Sequence, residues 1–195
     1  MLNALLHPLF YSLLHSLSGL VGLAVVLPMA PDTPNADDLH AWAGLVSPES
    51  LKSWVSGHLD AHKAALDRLL AVEGTRTVRN TLVPYDRAIA ALGLAGSEAG
   101  LLHSVSTEKS VRDQAEAMVQ AVAEAAVQLS LNQQVYHALS SIELAHADAP
   151  TRHYVERTLL QYRLAGVDQD QPTRQRIQQL QERITELGLN FGRNV

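Results

Sequence analysis

Cysteine is absent from this chain of 195 residues, which excludes disulfide staples, thiolate zinc sites and a cysteine nucleophile together. Aromatic residues are scarce at 5%, while Ala and Leu dominate. Small and γ-branched side chains let helices approach closely and keep helix propensity high, so this balance favours helix packed on helix. No stretch alternates apolar and polar residues with period two, no Asn-Gly pair marks a hairpin, and no repeat of solenoid length stands out. The fold class is therefore all-α, expected as an antiparallel bundle of about six long helices. A net charge of -5 and a pI near 6.0 provide no basic stripe to displace counterions, which argues against a nucleic-acid partner. His-Glu-x-x-His, the helical zinc motif of metallopeptidases, occurs nowhere in the sequence.

Charge is also missing locally, because residues 1–31 contain no Asp, Glu, Lys or Arg. An apolar run over residues 9–27 ends at Pro28-Met-Ala-Pro31, and a polar, turn-rich stretch follows. That layout predicts a signal peptide or anchor-like segment over 1–30, with cleavage near Ala30, and a linker over 31–46. His7 is the only basic side chain near the start, and Pro28 sits where a small residue is wanted. The alternatives are an uncleaved anchor in contact with a membrane, a hydrophobic helix packed on the body, or a segment without a role. A periplasmic, secreted or membrane-anchored location is favoured over the cytoplasm.

The body, residues 47–195, reads as successive helices. Ser47-Pro48-Glu49 is a start signal: a capping serine, a proline suited to the first helical position and an acid at the positive end of the dipole. Leu51, Val55, Leu59, Ala65, Leu66, Leu69 and Leu70 recur at helical spacing, and Gly74 is expected to cap the end. A second helix is expected from Thr77 to Gly93, with its first turn displaced or kinked by Pro84. Gly93, Gly96 and Gly100 predict a break followed by a short helix over 98–103. A third helix runs to Leu129 with Val111, Ala115, Met118, Val119, Val122 and Ala126 on one face. Asn132 caps a fourth, bearing Val135, Leu139, Ile142 and Leu144. A fifth runs from Thr151 to Ala165 and stops at Gly166. Asp170 opens the last, which carries Ile177, Leu180, Ile184, Leu187 and Phe191. That apolar stripe is still running at Val195, so the helix is expected to continue and the chain to be truncated there.

Few side chains invite a chemical reading. His58 and His62 lie four apart on one helix face and could share a metal. However, Leu59 stands where the general-base Glu belongs, Asp60 points elsewhere and no third ligand follows, so two surface histidines are expected. Tyr85 and Asp86 after Pro84 read as a packing ring and a helix cap rather than a substrate-contacting pair. Tyr136, Tyr154 and Tyr162 read as core and rim aromatics. Arg152, Arg157 and Arg163 with Glu156 read as a solvated helix face. His103 and Ser104 lack the strained turn a nucleophilic serine needs. No catalytic, cofactor-binding or metal-ligating residue is assigned.

An ordered set of segments nevertheless carries a lineage. Asn80-Thr-Leu-Val-Pro-Tyr-Asp86, Val111-Arg-Asp113, Leu129-Ser-Leu131-Asn132 and Val135-Tyr136 are followed by Leu159-Leu-Gln-Tyr-Arg-Leu-Ala-Gly166 and by Arg176-Ile-Gln-Gln-Leu-Gln-Glu-Arg-Ile-Thr-Glu-Leu187. In this order they resemble the N-terminal helical region of the thimet oligopeptidase, neurolysin and oligopeptidase A family of zinc metallopeptidases. The similarity runs from about Leu51 to Val195. The resemblance implies one lobe of a two-lobed helical enzyme whose deep channel admits short peptides and excludes folded proteins. It also implies that zinc, its two His ligands, the general-base Glu and a further Glu ligand belong to the opposite lobe. This chain would then be inactive alone and need that catalytic lobe as partner. The rival expectation is a free-standing or membrane-anchored helical interaction module that has lost the catalytic half.

Overall fold

The computed structural model describes residues 47–193; the expected leader over 1–30 and linker over 31–46 lie outside them. Six α-helices follow in order: α1 Pro48–Leu70, α2 Val83–Val105, α3 Lys109–Ser130, α4 Gln133–Ser140, α5 Ala149–Ala165 and α6 Gln171–Arg193. The expected all-α bundle is present, although α4 has only eight residues. Among the described residues the one β interaction is an isolated parallel bridge between Arg76 and Ile142.

Four of the six helices, α1, α4, α5 and α6, begin where the sequence supplies a side-chain cap. Ser47 and Ser50 exchange side-chain-to-backbone hydrogen bonds at the start of α1. Asn132 accepts from the Val135 amide at 3.1 Å, Asp148 from Thr151 at 2.9 Å and Asp170 from Thr173 at 2.8 Å. These bonds satisfy amides that the first helical turn leaves without a partner.

The ends are less local. α1 stops at Leu70, before Gly74, because Arg76 folds back to donate to the Leu69 and Val72 carbonyls. Thr77 and Asn80 then form a reciprocal capping box, and residues Val78–Leu82 make a widened π turn that runs into α2. Pro84, within the first turn of α2, has no amide to offer the preceding turn, and the wider winding before it accommodates that loss. The expected break at Gly93, Gly96 and Gly100 does not occur: α2 continues to Val105. A Cβ on Gly96 would lie 3.3 Å from Val122 Cγ1, so at that glycine α3 comes close. Packing there offsets the roughly 1 kcal/mol helix cost of a glycine. α4 ends at Ser140, earlier than expected, because the Glu143 amide turns to donate to the Arg76 carbonyl at 2.8 Å. Ile142 is therefore buried as a loop residue, not a helical one.

Two apolar clusters hold the bundle. One joins Leu51 and Val55 of α1 to Leu92, Ala95 and Ala99 of α2 and to Val111, Ala115 and Val122 of α3. The other gathers Leu69, Tyr85, Ile89, Leu129, Val135, Leu139, Val155, Tyr162 and Val167. Residues 78–105 are long and apolar enough to cross a membrane by length and composition, but here they form the central helix of the bundle, packed on α1 and α3.

Gly166 closes α5 with φ +96°, and a Cβ there would meet Ile177 Cδ1 at 2.6 Å. Gly74 also has positive φ, +76°, but faces open space. Gly74→Ala is expected to cost about 1 kcal/mol in urea denaturation and Gly166→Ala about 2 kcal/mol, since only the second adds a contact to left-handed strain. Equal losses would show that Ile177 moves aside freely.

Candidate functional site

The residues that invite a chemical reading gather where α2, α4 and α5 meet. Tyr85 and Tyr162 are both nearly fully buried, with ring centroids 6.4 Å apart, and Tyr136 lies 6.1 Å from Tyr162. Both pairs are tilted, a favourable arrangement for aromatic quadrupoles. The Tyr154 hydroxyl donates to Asp86 Oδ1 at 3.4 Å. Asp86 thus partners a tyrosine of α5 instead of capping its own helix.

Burial holds the phenols of this cluster in their neutral form near neutrality. Burial raises Tyr85 and Tyr162 well above the ordinary phenol value. Burial, and then the Asp86 carboxylate, push Tyr154 up to about 12. The Tyr162 hydroxyl meets no partner at full hydrogen-bonding geometry; its polar neighbour is Tyr85. No nucleophile stands beside a base here. The cluster is a joint between helices.

The remaining candidates are dispersed. His62 is buried, not on the surface: its Nδ1 lies 2.8 Å from the Ala88 carbonyl, so that nitrogen carries the proton and donates. His58, one turn earlier, lies tilted against Trp54 with ring centroids 4.1 Å apart. An Nδ1 bond to a carbonyl is compatible with ligation through the other ring nitrogen, but among the described residues no group of three His, Asp or Glu that could hold a metal ion comes together. These donors do not fit a zinc site. Ser104 donates back to the Gly100 carbonyl at 2.9 Å, whereas His103 faces Glu116 on α3 at 3.9 Å, so the two do not pair. Arg152, Glu156, Arg157 and Arg163 stand exposed along α5, as the sequence predicts.

Other positions carry weight that the sequence reading passed over. Arg76 binds two carbonyls of α1 and, through its backbone, the segment after α4. Gln133 donates across to the Val167 carbonyl at 2.9 Å. Glu98 is buried on α2, and desolvation raises its carboxyl. A cleft between α3 and α6, lined by Gln120, Glu124, Glu182 and Thr185, holds only about 10 Å3 of space for water. Small-molecule sites need roughly 300 Å3 or more, so the cleft is a seam between helices.

The chain matches no model of a known protein family and no curated protein.

Two outcomes test this description. His62→Ala removes a buried ring and its hydrogen bond and is expected to cost about 2 kcal/mol in urea denaturation; a loss below 0.5 kcal/mol, on the order of a surface change, would contradict the burial. Burial raises the Asp86 carboxyl from its ordinary 3.8, with the Tyr154 hydroxyl opposing. The folded form then holds that proton more tightly than the unfolded chain. Its contribution is full below pH 3.8 and is lost as pH rises through the raised folded value. Asp86 keeps solvent contact, so the effect is screened and small. Asp86→Asn is expected to flatten this slope and cost nothing at pH 7, as read from denaturation midpoints at several pH values.

Proposed function

We propose that residues 47–195 are the non-catalytic helical lobe of a zinc-dependent oligopeptidase, one that hydrolyses short peptides when joined to a zinc-bearing lobe. The reading rests on the ordered resemblance to the thimet oligopeptidase, neurolysin and oligopeptidase A family. What supports it is where the residues of that resemblance fall. Asn80 completes a capping box and Asn132 caps α4. Tyr85, Val111, Leu129, Val135 and Tyr162 fill the interior, and Gly166 takes the left-handed turn after α5. Every one of these builds the scaffold, and none brings together a nucleophile, a base or a three-donor set. A lobe that walls a peptide channel needs this kind of residue; the chemistry belongs elsewhere. Peptide hydrolysis on zinc takes three protein ligands, an open position for water and a base beside it.

The purified chain, supplied with zinc, is expected to leave a quenched fluorescent short peptide uncut. The reading frame after Val195 is expected to continue into a His-Glu-x-x-His. Chelator-sensitive cleavage by this chain alone would overturn the proposal. A natural stop directly after Val195 would favour the free-standing interaction module instead.

A further inference from the structure

Leu180, Ile184, Leu187 and Phe191 are 46%, 58%, 51% and 53% exposed along α6. Their steps of four, three and four continue from Ile177, half-buried beside Gly166, and have the spacing of a coiled-coil seam. The spacing is selective because the rest of α6 is polar. Among its 23 residues Leu189 is the only other Leu, Ile, Val, Met or Phe, and it is buried. Along the seam Ile177, Leu180, Ile184 and Leu187 alternate. A β-branched residue at one seam position and leucine at the other favours two helices running in the same direction.

The stripe opens away from the bundle. α6 packs chiefly on α3, and Thr185 lines the cleft between them. At 3.6 residues per turn the stripe is centred roughly 130° around α6 from Thr185, so another helix reaches it without meeting α3. The charges beside the stripe select the occupant. Arg183 pairs with Glu186 on its own helix, and Arg176 lies beside Gln179. One uncompensated arginine offers little to an anionic lipid surface, which amphipathic helices meet with many Lys or Arg. It offers an acidic peptide no more. A copy of α6 running in the same direction sets Arg176 opposite Gln181 and Arg183 opposite Gly188, so no like charges face each other. Area sets the strength of such a pair. Four half-exposed side chains with these flanks fall short of the roughly 800 Å2 per partner of a standard interface, which makes the pairing weak and reversible.

We propose that α6 pairs with α6 of a second copy of this chain, side by side and in the same direction, closing the Leu180–Ile184–Leu187–Phe191 stripe about a two-fold axis. Each residue of the stripe then meets its own counterpart, as a symmetric interface requires. This stands apart from the peptidase reading and uses only the exposed face of α6.

Sedimentation equilibrium of the full chain is expected to show a monomer passing to a dimer with a midpoint of tens of micromolar, roughly the range of a small interface. Ile184→Glu combined with Leu187→Glu buries four carboxylates in the seam and is expected to raise that midpoint at least about tenfold, with helicity by circular dichroism unchanged. The absence of cysteine allows a second reading that keeps the stripe apolar. Ile184→Cys and Leu187→Cys, made singly, are each expected to form disulfide-linked dimers at least about tenfold faster than Gln175→Cys, an exposed position around the helix from the stripe. A monomer at every concentration overturns the proposal and leaves the stripe for another lobe. A dimer that the glutamates do not weaken, or equal disulfide rates at positions 175, 184 and 187, overturns it in favour of another interface. Disulfides formed only between the Ile184→Cys and Leu187→Cys chains overturn the same-direction pairing. Monomers that bind phosphatidylglycerol vesicles through the stripe, and lose that binding with the glutamates, overturn it in favour of a membrane.

Discussion

The bundle depends on how closely helices can approach α2. That helix packs against α1, α3 and the π turn, keeping Asp86, Arg87, Ala90 and Ser97 on its solvent side. Ala88, Ala91, Ala95 and Ala99 keep its buried surface thin, and Gly96 admits Val122 of α3. Close approach has a polar consequence as well. It brings the backbone of α2 near enough to α1 for His62 to bond the Ala88 carbonyl, a group that a bulkier ridge would hold out of reach. A carbonyl has two lone pairs, so this bond adds to the helical ladder without displacing it. Dispersion along such a seam is the main compensation for placing glycines in a helix interior.

Where the small-residue seam ends, toward the start of α2, the interior changes character. The space is filled by Tyr85, Tyr136 and Tyr162 from three helices, rings large enough to bridge elements that alanines could not. Arg76 ties the same end together. Its guanidinium donates to two carbonyls at the close of α1, and its backbone pairs with the segment after α4. One residue thereby fixes the exit of α1, the approach to α2 and the end of α4. The two clusters thus meet through α2, which contributes to both.

This division explains what was legible in the sequence. Three helix starts were readable because a cap is a local device: Ser47, Asn132 and Asp170 each bond an amide three residues away. Gly166 was readable for the same reason, as a left-handed stop. What was missed depends on partners distant in sequence. Gly96 reads as a breaker until Val122 is seen across from it, 26 positions later. His62 reads as a surface residue because its neighbours in sequence are polar, while its partner Ala88 is also 26 positions on. Ile142 reads as helical until Arg76 captures the backbone beside it. The candidate site follows the same logic: the tyrosines were correctly read as packing aromatics, but Asp86 was assigned a local cap and instead bonds Tyr154, 68 positions away.

That pattern also bears on what a resemblance of this kind conveys. Several of its residues, Tyr85, Val111, Leu129, Val135 and Tyr162 among them, are tied to interior contacts and so are constrained by the scaffold itself, whereas much of its last segment lies exposed on α6. A channel wall acts by shape, and shape is set by how helices pack, so scaffold residues are the ones through which a non-catalytic lobe would be recognised. Catalysis asks for the opposite: strained, desolvated or convergent groups whose placement works against stability. The raised phenols stay neutral near pH 7, and His62 spends its proton on a backbone carbonyl, while Glu98 is buried with its carboxyl raised by desolvation. Leu180, Ile184, Leu187 and Phe191 leave an apolar face exposed on α6, a patch of the kind that other surfaces pack against.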